Sequence, residues 1–462
     1  MTEPFTVVSA QVFAVELLEA IFLYCLPNDN HAYMKRNYVP LNVSQVCRHW
    51  RRVTLDIARL WSNLHIVMDD NEPILEKIVP LTRLWLTRSR TLSISVHVES
   101  LRNAERSTSP DSDDSSLGSV SWESMEPVFT ELAQHSSRLK GLILTLSGRC
   151  CYKAFPFIDV GFPGLQELTI RSFDKENHSP SFGYVFDHLV PKLTALHYEP
   201  TGTTAHKREN IYKSQTLKKL TLAVRPTVKA IFHMMLDSYP SLEELHVKPF
   251  HAELKHLGRW KIHPCRIKRV RDFSSVRRLE VTVFHPYETL ICEYMMTTRF
   301  QNLSCLTVRF TDGVEKNHEI RMSLINFITV SNAPIEEFNL IDDSGDDEET
   351  IAILRLLHGL KRLRTKASNV VMSYLESSDA CRLLEDITLD VRNMTAQSDN
   401  LSTIRSMILS RAAGIQDDVQ PTPPRCLRKV RLVSGWEEEV MWANIIKDFH
   451  NLGLTVEMCR FF

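Results

Sequence analysis

The stretch "LKKLTL" at residues 217–222, with "LEELHV" following at 242–247, decides how this chain folds. Each begins with an apolar residue, skips two positions, places a second, skips one and places a third. The last two lie two apart, so they face the same way on a short strand. The first stands three residues earlier, where a turn leads into that strand. Outward from this pair the spacing recurs at "LKGLIL" (139), "LQELTI" (165), "LTALHY" (193), "VRRLEV" (276), "LSCLTV" (303), "IEEFNL" (335), "LKRLRT" (360), "LEDITL" (384) and "LRKVRL" (427). Successive starts lie 24 to 34 residues apart, with one last step of 43.

The stretches between copies are long enough for a helix. Three read as amphipathic: "TVKAIFHMMLDSY" (227–239), "YETLICEYMMTTRF" (287–300) and "HEIRMSLINFITV" (318–330). One strand and one helix cannot bury a hydrophobic face alone, but stacked units can. The expected fold class is therefore α/β, with one strand plus one helix per unit over residues 125–462. The pattern resembles a leucine-rich-repeat array from about 139 to 433. That family usually carries Asn or Cys three residues after the last apolar position. Here those places hold residues such as Phe173, Thr201, Arg225 and Phe284. An irregular solenoid is expected, without the family's side-chain ladder.

Bulk composition narrows the function. With 55 basic and 56 acidic residues the net charge is −1, which gives no general field toward nucleic acid or an acidic membrane. A hydrophobic fraction of 43% supports a packed core. Ten cysteines without a repeated short spacing point to reduced thiols, hence the cytoplasm or nucleus, and to no zinc site. The opening "MTEPFTVVSAQ" carries an acid where a secretory leader starts basic, and no run of 18 uncharged apolar residues exists. No phosphate-cradling glycine motif, G-x-S-x-G or H-E-x-x-H occurs. No enzyme activity and no cofactor are expected.

Residues 1–66 read as a separate helical module. In "AQVFAVELLEAIFLYCLP" an apolar stripe runs through 13, 17, 20, 21 and 24, with 18, 22 and 25 beside it and Pro27 closing. A second helix is predicted from "PLNVSQVCRHWRRVTLDIARLW", with Asn42 and Gln45 as a near capping box. Its apolar positions are Val43, Val46, Cys47, Trp50, Val53 and Ile57. At 100° per residue His49 lies far around from Cys47, so this pair is no reactive thiol. "LWSNLHI" already carries the repeat rhythm at Trp61, Leu64 and Ile66.

Those segments, with "LWLTRSRTLSISVHV", resemble an F-box, in the form common in mushroom-forming fungi. The resemblance covers residues 10–98. Where the family usually reads Leu-Pro, this chain has Phe13-Ala14. What it implies is an adaptor of a cullin–RING ubiquitin ligase, with the F-box docked on the Skp-type linker and the repeats holding a protein substrate. By that analogy the docking residues are Phe13, Leu17, Leu18, Ile21, Val43, Val46 and Trp50. Trp61 and Leu64 are expected to seal the junction. The alternative is a protein-binding scaffold whose F-box is degenerate.

In such an array the strand positions between the apolar ones face a common surface. The candidate substrate face is Arg171, His197, His246, Lys248, Arg309, Arg364, Lys366 and Arg431. It leans basic, which fits an acidic or phosphorylated partner. Neither membrane nor nucleic acid is an expected partner. Residues 67–105 read as a connector helix and first strand, and 106–124 as a disordered Ser/Asp-rich loop. "DDSGDDEET" (342–350) reads as an acidic loop and "GIQDDVQPTPPR" (414–425) as a Pro-rich one. "HVKPFHAELKHLGRWKIHPCRIKRVRD" (246–272) reads as a basic loop. Its histidines match no common metal spacing.

Overall fold

The computed structural model describes residues 13–26, 32–33, 39–68, 72–100, 122–146, 154, 161–172, 190–199, 214–224, 239–249, 271–283, 288–310, 318–341, 347–377, 381–392, 398–412, 427–434, 442, 446–447, 449–450 and 453–460. They fall into two compact units, the first ending at Ser241 and the second beginning at Leu242.

The first unit opens with helix α1 (Val15–Tyr24). A 3-10 turn (Val43–Gln45), helix α2 (Arg48–Asp56) and a second 3-10 turn (Ala58–Trp61) follow. A parallel sheet then runs in order from β1 (Ala32–Tyr33) through β2 (Asn63–Met68), β3 (Ile94–Ser100), β4 (Leu139–Leu146), β5 (Glu167–Ser172) and β6 (Ala195–Glu199) to β7 (Lys219–Val224). Helices α3 (Glu72–Arg88) and α4 (Trp122–Gln134) cross between parallel neighbours and pack on each other.

The second unit repeats the plan. Its sheet runs β8 (Glu244–Pro249), β10 (Arg278–Val283), β12 (Cys305–Phe310), β13 (Glu337–Ile341), β14 (Arg362–Lys366), β15 (Asp386–Asp390), β16 (Lys429–Ser434), β17 (Thr455–Arg460). A small pair of β9 (Arg271–Asp272) with β11 (Thr298–Arg299) stands apart from it. Helices α5 (Glu288–Thr297), α6 (His318–Ser331), α7 (Asp347–Leu356), α8 (Asn369–Glu376) and α9 (Ser398–Ala412) pack each on the next.

The apolar triplets explain this layout. Every position of all eleven is buried, Thr365 included. A fully buried Leu, Ile or Val contributes about 1.5–3 kcal/mol, so each unit gains only by stacking on its neighbour. Register follows the triplets: Leu279 pairs with Leu245 and Leu306, Leu363 with Phe338 and Ile387. The turn before each strand has a backbone ladder of its own. The N–H groups of Ser304 and Cys305 both donate to Arg277 O, those of Glu336 and Glu337 to Ser304 O, and those of Lys361 and Arg362 to Glu336 O. These carbonyls are satisfied by the backbone of the next unit, with Ser304 Oγ adding a bond to Arg277 O at 3.1 Å.

Several expectations change. The helix predicted from Asn42 to Trp61 is broken. Asn42 caps only the 3-10 turn, taking a bond from Val43 N–H at 2.6 Å, and Gln45 Nε2 donates to Leu41 O at 3.2 Å. Extended Cys47 then caps α2, its Sγ accepting from Trp50 N–H at 3.4 Å. The sheet reaches into residues 1–66, read as a helical module, through β1 (Ala32–Tyr33) and the start of β2 at Asn63, where "LWSNLHI" carries the repeat rhythm. α4 begins at Trp122, inside the stretch read as loop, and 106–121 lie outside the described residues. The acidic stretch is a loop only in part. Asp347, Glu348 and Glu349 form the first turn of α7, where carboxylates suit the positive helix end. The predicted helix over 227–238, the basic residues 250–270, the Pro-rich residues 414–425 and Phe173, Thr201, Arg225 and Phe284 lie outside the described residues.

Candidate functional site

Two surfaces carry the sequence-predicted residues. The first is the outer side of α1. Leu18 and Phe22 are fully buried, and Phe22 meets Trp50 of α2 edge-on with ring centroids 5.0 Å apart. Leu17, Ile21 and Tyr24 lie around the helix from them, with Phe13 just before it, and all are exposed. Leu17 keeps 47% of its surface and Tyr24 91%. Val46, in the break before α2, is exposed as well.

So the seven predicted docking residues separate. Phe13, Leu17, Ile21 and Val46 offer apolar surface. Leu18 and Val43 are buried inside the module, so they offer a partner none, and Trp50 is half-buried against Phe22. The stripe on α1 is wide enough to serve two sides, and spacing alone did not say which flank faces inward. Trp61 and Leu64 are buried, with Trp61 Nε1 donating to Thr54 O at 2.9 Å and its ring edge-on to Trp85 of α3 at 4.8 Å. Ala14 caps α1 with φ −59° and no side-chain hydrogen bond. That φ is the value a proline would impose, so Phe13-Ala14 keeps the backbone geometry and loses only its rigidity.

The second surface is the strand face between the buried triplets. In the second unit one row of cross-strand partners reads His246, Glu280, Thr307, Asn339, Arg364, Thr388, Arg431, Glu457. In the first it reads His65, His97, Ile143, Thr169, His197, Thr221. The face was expected to lean basic; the structure shows how much of that charge is met locally. His246 Nδ1 lies 2.9 Å from Glu280, and Arg309 lies 4.0 Å from the same carboxylate. Glu457 takes Arg431 at 3.0 Å and Lys429 at 2.5 Å. Glu199 takes His197 at 2.8 Å and Arg171 at 3.7 Å. Glu337 takes Arg362 at 3.0 Å, and Asp390 binds Arg392. Lys248 and Lys366 are half-buried at the outer ends of their strands. Hydrogen bonding to His246 is the largest influence holding Glu280 below its ordinary value, against the opposing effect of burial.

A cavity of about 580 Å³ opens on this row in the second unit, with Arg364, Arg309, Arg431, Asn339 and the thiols of Cys305 and Cys459 in its lining. Burial pushes the Cys305 thiol up to about 11, so it is no nucleophile near neutral pH. In the first unit His65, His97 and Glu99 each place a ligand atom within 4.8 Å of the others. Their rings are stacked, 4.1 Å between centroids and 11° between planes, with His65 Nε2 2.8 Å from Glu99. An ion about 2.1 Å from both ring nitrogens would sit well outside both ring planes, which imidazole coordination disfavours. The group is a hydrogen-bonded ring stack. Among the described residues no helix is long and apolar enough to cross a membrane, and the six described cysteines are free.

Comparison with known proteins bears on the N-terminal region. Residues 15–67 match the F-box-like family, so this N-terminal region is an F-box-like domain. No curated protein matches the chain. Sixteen chains of solved structures match. One is the leucine-rich repeat-containing protein LegL7 from Legionella pneumophila, 12% identical, covering 66% of this chain and 87% of its own, with a TM-score of 0.35. The leucine-rich-repeat-like fold rests on the buried triplets and their parallel register, not on that likeness.

Sequence reasoning missed one repeat, β17, which supplies Glu457. Its stretch "LTVEM" ends in Glu457-Met458 rather than a clean apolar triplet, although Leu454 and Val456 are buried.

Proposed function

We propose that this chain is the substrate-recognition adaptor of a cullin–RING ubiquitin ligase of the Skp–cullin–F-box type. Its F-box is read as the form found in mushroom-forming fungi, its place of action as the cytoplasm or nucleus, and its role as non-catalytic. One observation carries the reading. Within and beside the F-box-like residues, Phe13, Leu17, Ile21, Tyr24 and Val46 stay exposed while Leu18 and Phe22 hold the same helix in place. A soluble module that leaves such a stripe open has a surface suited to a partner helix or groove. Each aliphatic or aromatic residue buried there is worth about 1.5–3 kcal/mol before association costs, enough for stable docking by four or five. The repeats then hold a protein substrate, and the ligase acts on it by proximity.

The test is recovery of tagged full-length chain from fungal cells followed by mass spectrometry. The proposal expects the Skp-type linker and a cullin with the wild type, and neither with Leu17→Asp/Ile21→Asp. Recovery of neither by the wild type contradicts it. That result favours the second reading, a repeat scaffold with a degenerate F-box, in keeping with Phe13-Ala14 standing where the family usually reads Leu-Pro.

A further inference from the structure

Arg364 differs from the other cations of its row. Its side chain is half-buried on β14, in the lining of the 580 Å³ cavity, yet among the described residues no hydrogen bond or ion pair ends on it. The carboxylate nearest in influence, Asp390, is occupied by Arg392, whose Nε lies 2.8 and 3.1 Å from its two oxygens. Glu457 is occupied by Arg431 and Lys429, and Glu280 by His246. Burial holds the Arg364 guanidinium below the ordinary arginine value; Asp390 opposes this, while Arg309 and Arg392 add to it. Even so, a guanidinium stays charged at neutral pH. A half-buried charge without a counter-ion is unfavourable, and an incoming anion relieves it. The cross-strand neighbours Asn339 and Thr388 flank it with polar groups, and Arg309 lines the same cavity.

We infer that the cavity at Arg364 is a binding site for a single oxyanion group, the phosphate or carboxylate of a bound polypeptide segment, gripped by the free guanidinium fork. The singleness is argued from pairing: Arg309 lies 4.0 Å from Glu280 and Arg431 lies 3.0 Å from Glu457, so among the described residues of the row Arg364 is the cation left for an incoming anion. That the anion belongs to a polypeptide rests on the proposed role of the repeats; the anion site itself does not.

The experiment titrates the purified full chain with inorganic phosphate, observed by phosphorus NMR line broadening, and with acetate, observed by competition. Saturable phosphate binding is expected, weakened at least tenfold in Arg364→Gln, partly restored in Arg364→Lys and unchanged in Arg299→Gln, an exposed position on the separate β9–β11 pair. Thermal midpoints of the variants check that each is folded. Acetate competing as well as phosphate assigns a carboxylate; phosphate binding much tighter assigns a phosphorylated side chain; either supports the site. Absence of saturable binding by both, or wild-type binding by a folded Arg364→Gln, overturns it. Linker binding by the same variants is measured alongside. Its loss from the wild type counts against the adaptor reading and leaves the anion site standing.

Discussion

Leu17 and Leu18 are adjacent on α1, about 100° apart around it, and only Leu18 is buried, which allows a sharp test of how the N-terminal module is built. Leu18 has no exposed surface, and Leu17 keeps nearly half of its own. Leu18→Ala removes three buried carbons. At about 0.8 kcal/mol per methylene the transfer loss is roughly 2 kcal/mol, and the cavity left against α2 brings the total to about 3 kcal/mol. Leu17→Ala removes carbons that mostly touch water, so its cost stays within about 0.5 kcal/mol. Amide hydrogen exchange on the α1 segment of the full chain reads both. At about 1.4 kcal/mol per tenfold, Leu18→Ala speeds exchange of the α1 amides roughly hundredfold, and Leu17→Ala less than about threefold. Local exchange is the right probe because a chain of two compact units does not meet the single-domain premise of two-state unfolding. Equal effects of the two substitutions would refute the assignment of inward and outward faces.

Arg411 of α9 is buried and donates from Nε to Leu375 O at 2.7 Å, from Nη1 to Cys381 O at 3.0 Å and from Nη2 to Ser377 O at 2.9 Å, tying down the end of α8. Arg411→Met strands those carbonyls and should lower stability of the second unit by about 3 kcal/mol, read as faster exchange in α8 and α9; unchanged exchange contradicts the network. Glu280 has a folded-state value below its unfolded one, about 4.3, so its contribution is full above that pH and is lost as pH falls through the folded value. Glu280→Gln should flatten the acid limb of the thermal midpoint against pH; a variant with the wild-type slope rules this out. Burial raises the Cys305 and Cys381 thiols to about 11, whereas Cys25 is exposed. Iodoacetamide at pH 8 should therefore label Cys25 well before either, and the reverse order in peptide mass spectrometry would contradict the burial.

What could be read from the sequence, and what could not, follows from the range of each interaction. The triplets were legible because burial repeats at fixed short spacing, as in "LSCLTV", where Leu303, Leu306 and Val308 are all buried. The break at Cys47 was not, because its apolar neighbours continue a helical rhythm while a thiol-to-backbone cap turns the chain. The charge balance of the strand face was hidden for a different reason. Arg431 meets Glu457, and Lys361 meets Glu336 at 2.8 Å, only once parallel register brings residues about 25 apart side by side. The isolation of Arg364 depends on the same register, since it emerges only after its neighbours' carboxylates are assigned to other cations.

The proposed docking of the outer side of α1 on the linker of a ubiquitin ligase is tested most directly by titration calorimetry of the purified full chain with a purified fungal Skp-type linker. One-to-one binding by the wild type is expected, with loss of that binding in Leu17→Asp/Ile21→Asp, whose folding is confirmed by circular dichroism. No heat of binding with the wild type, or undiminished affinity in the folded double variant, would contradict it.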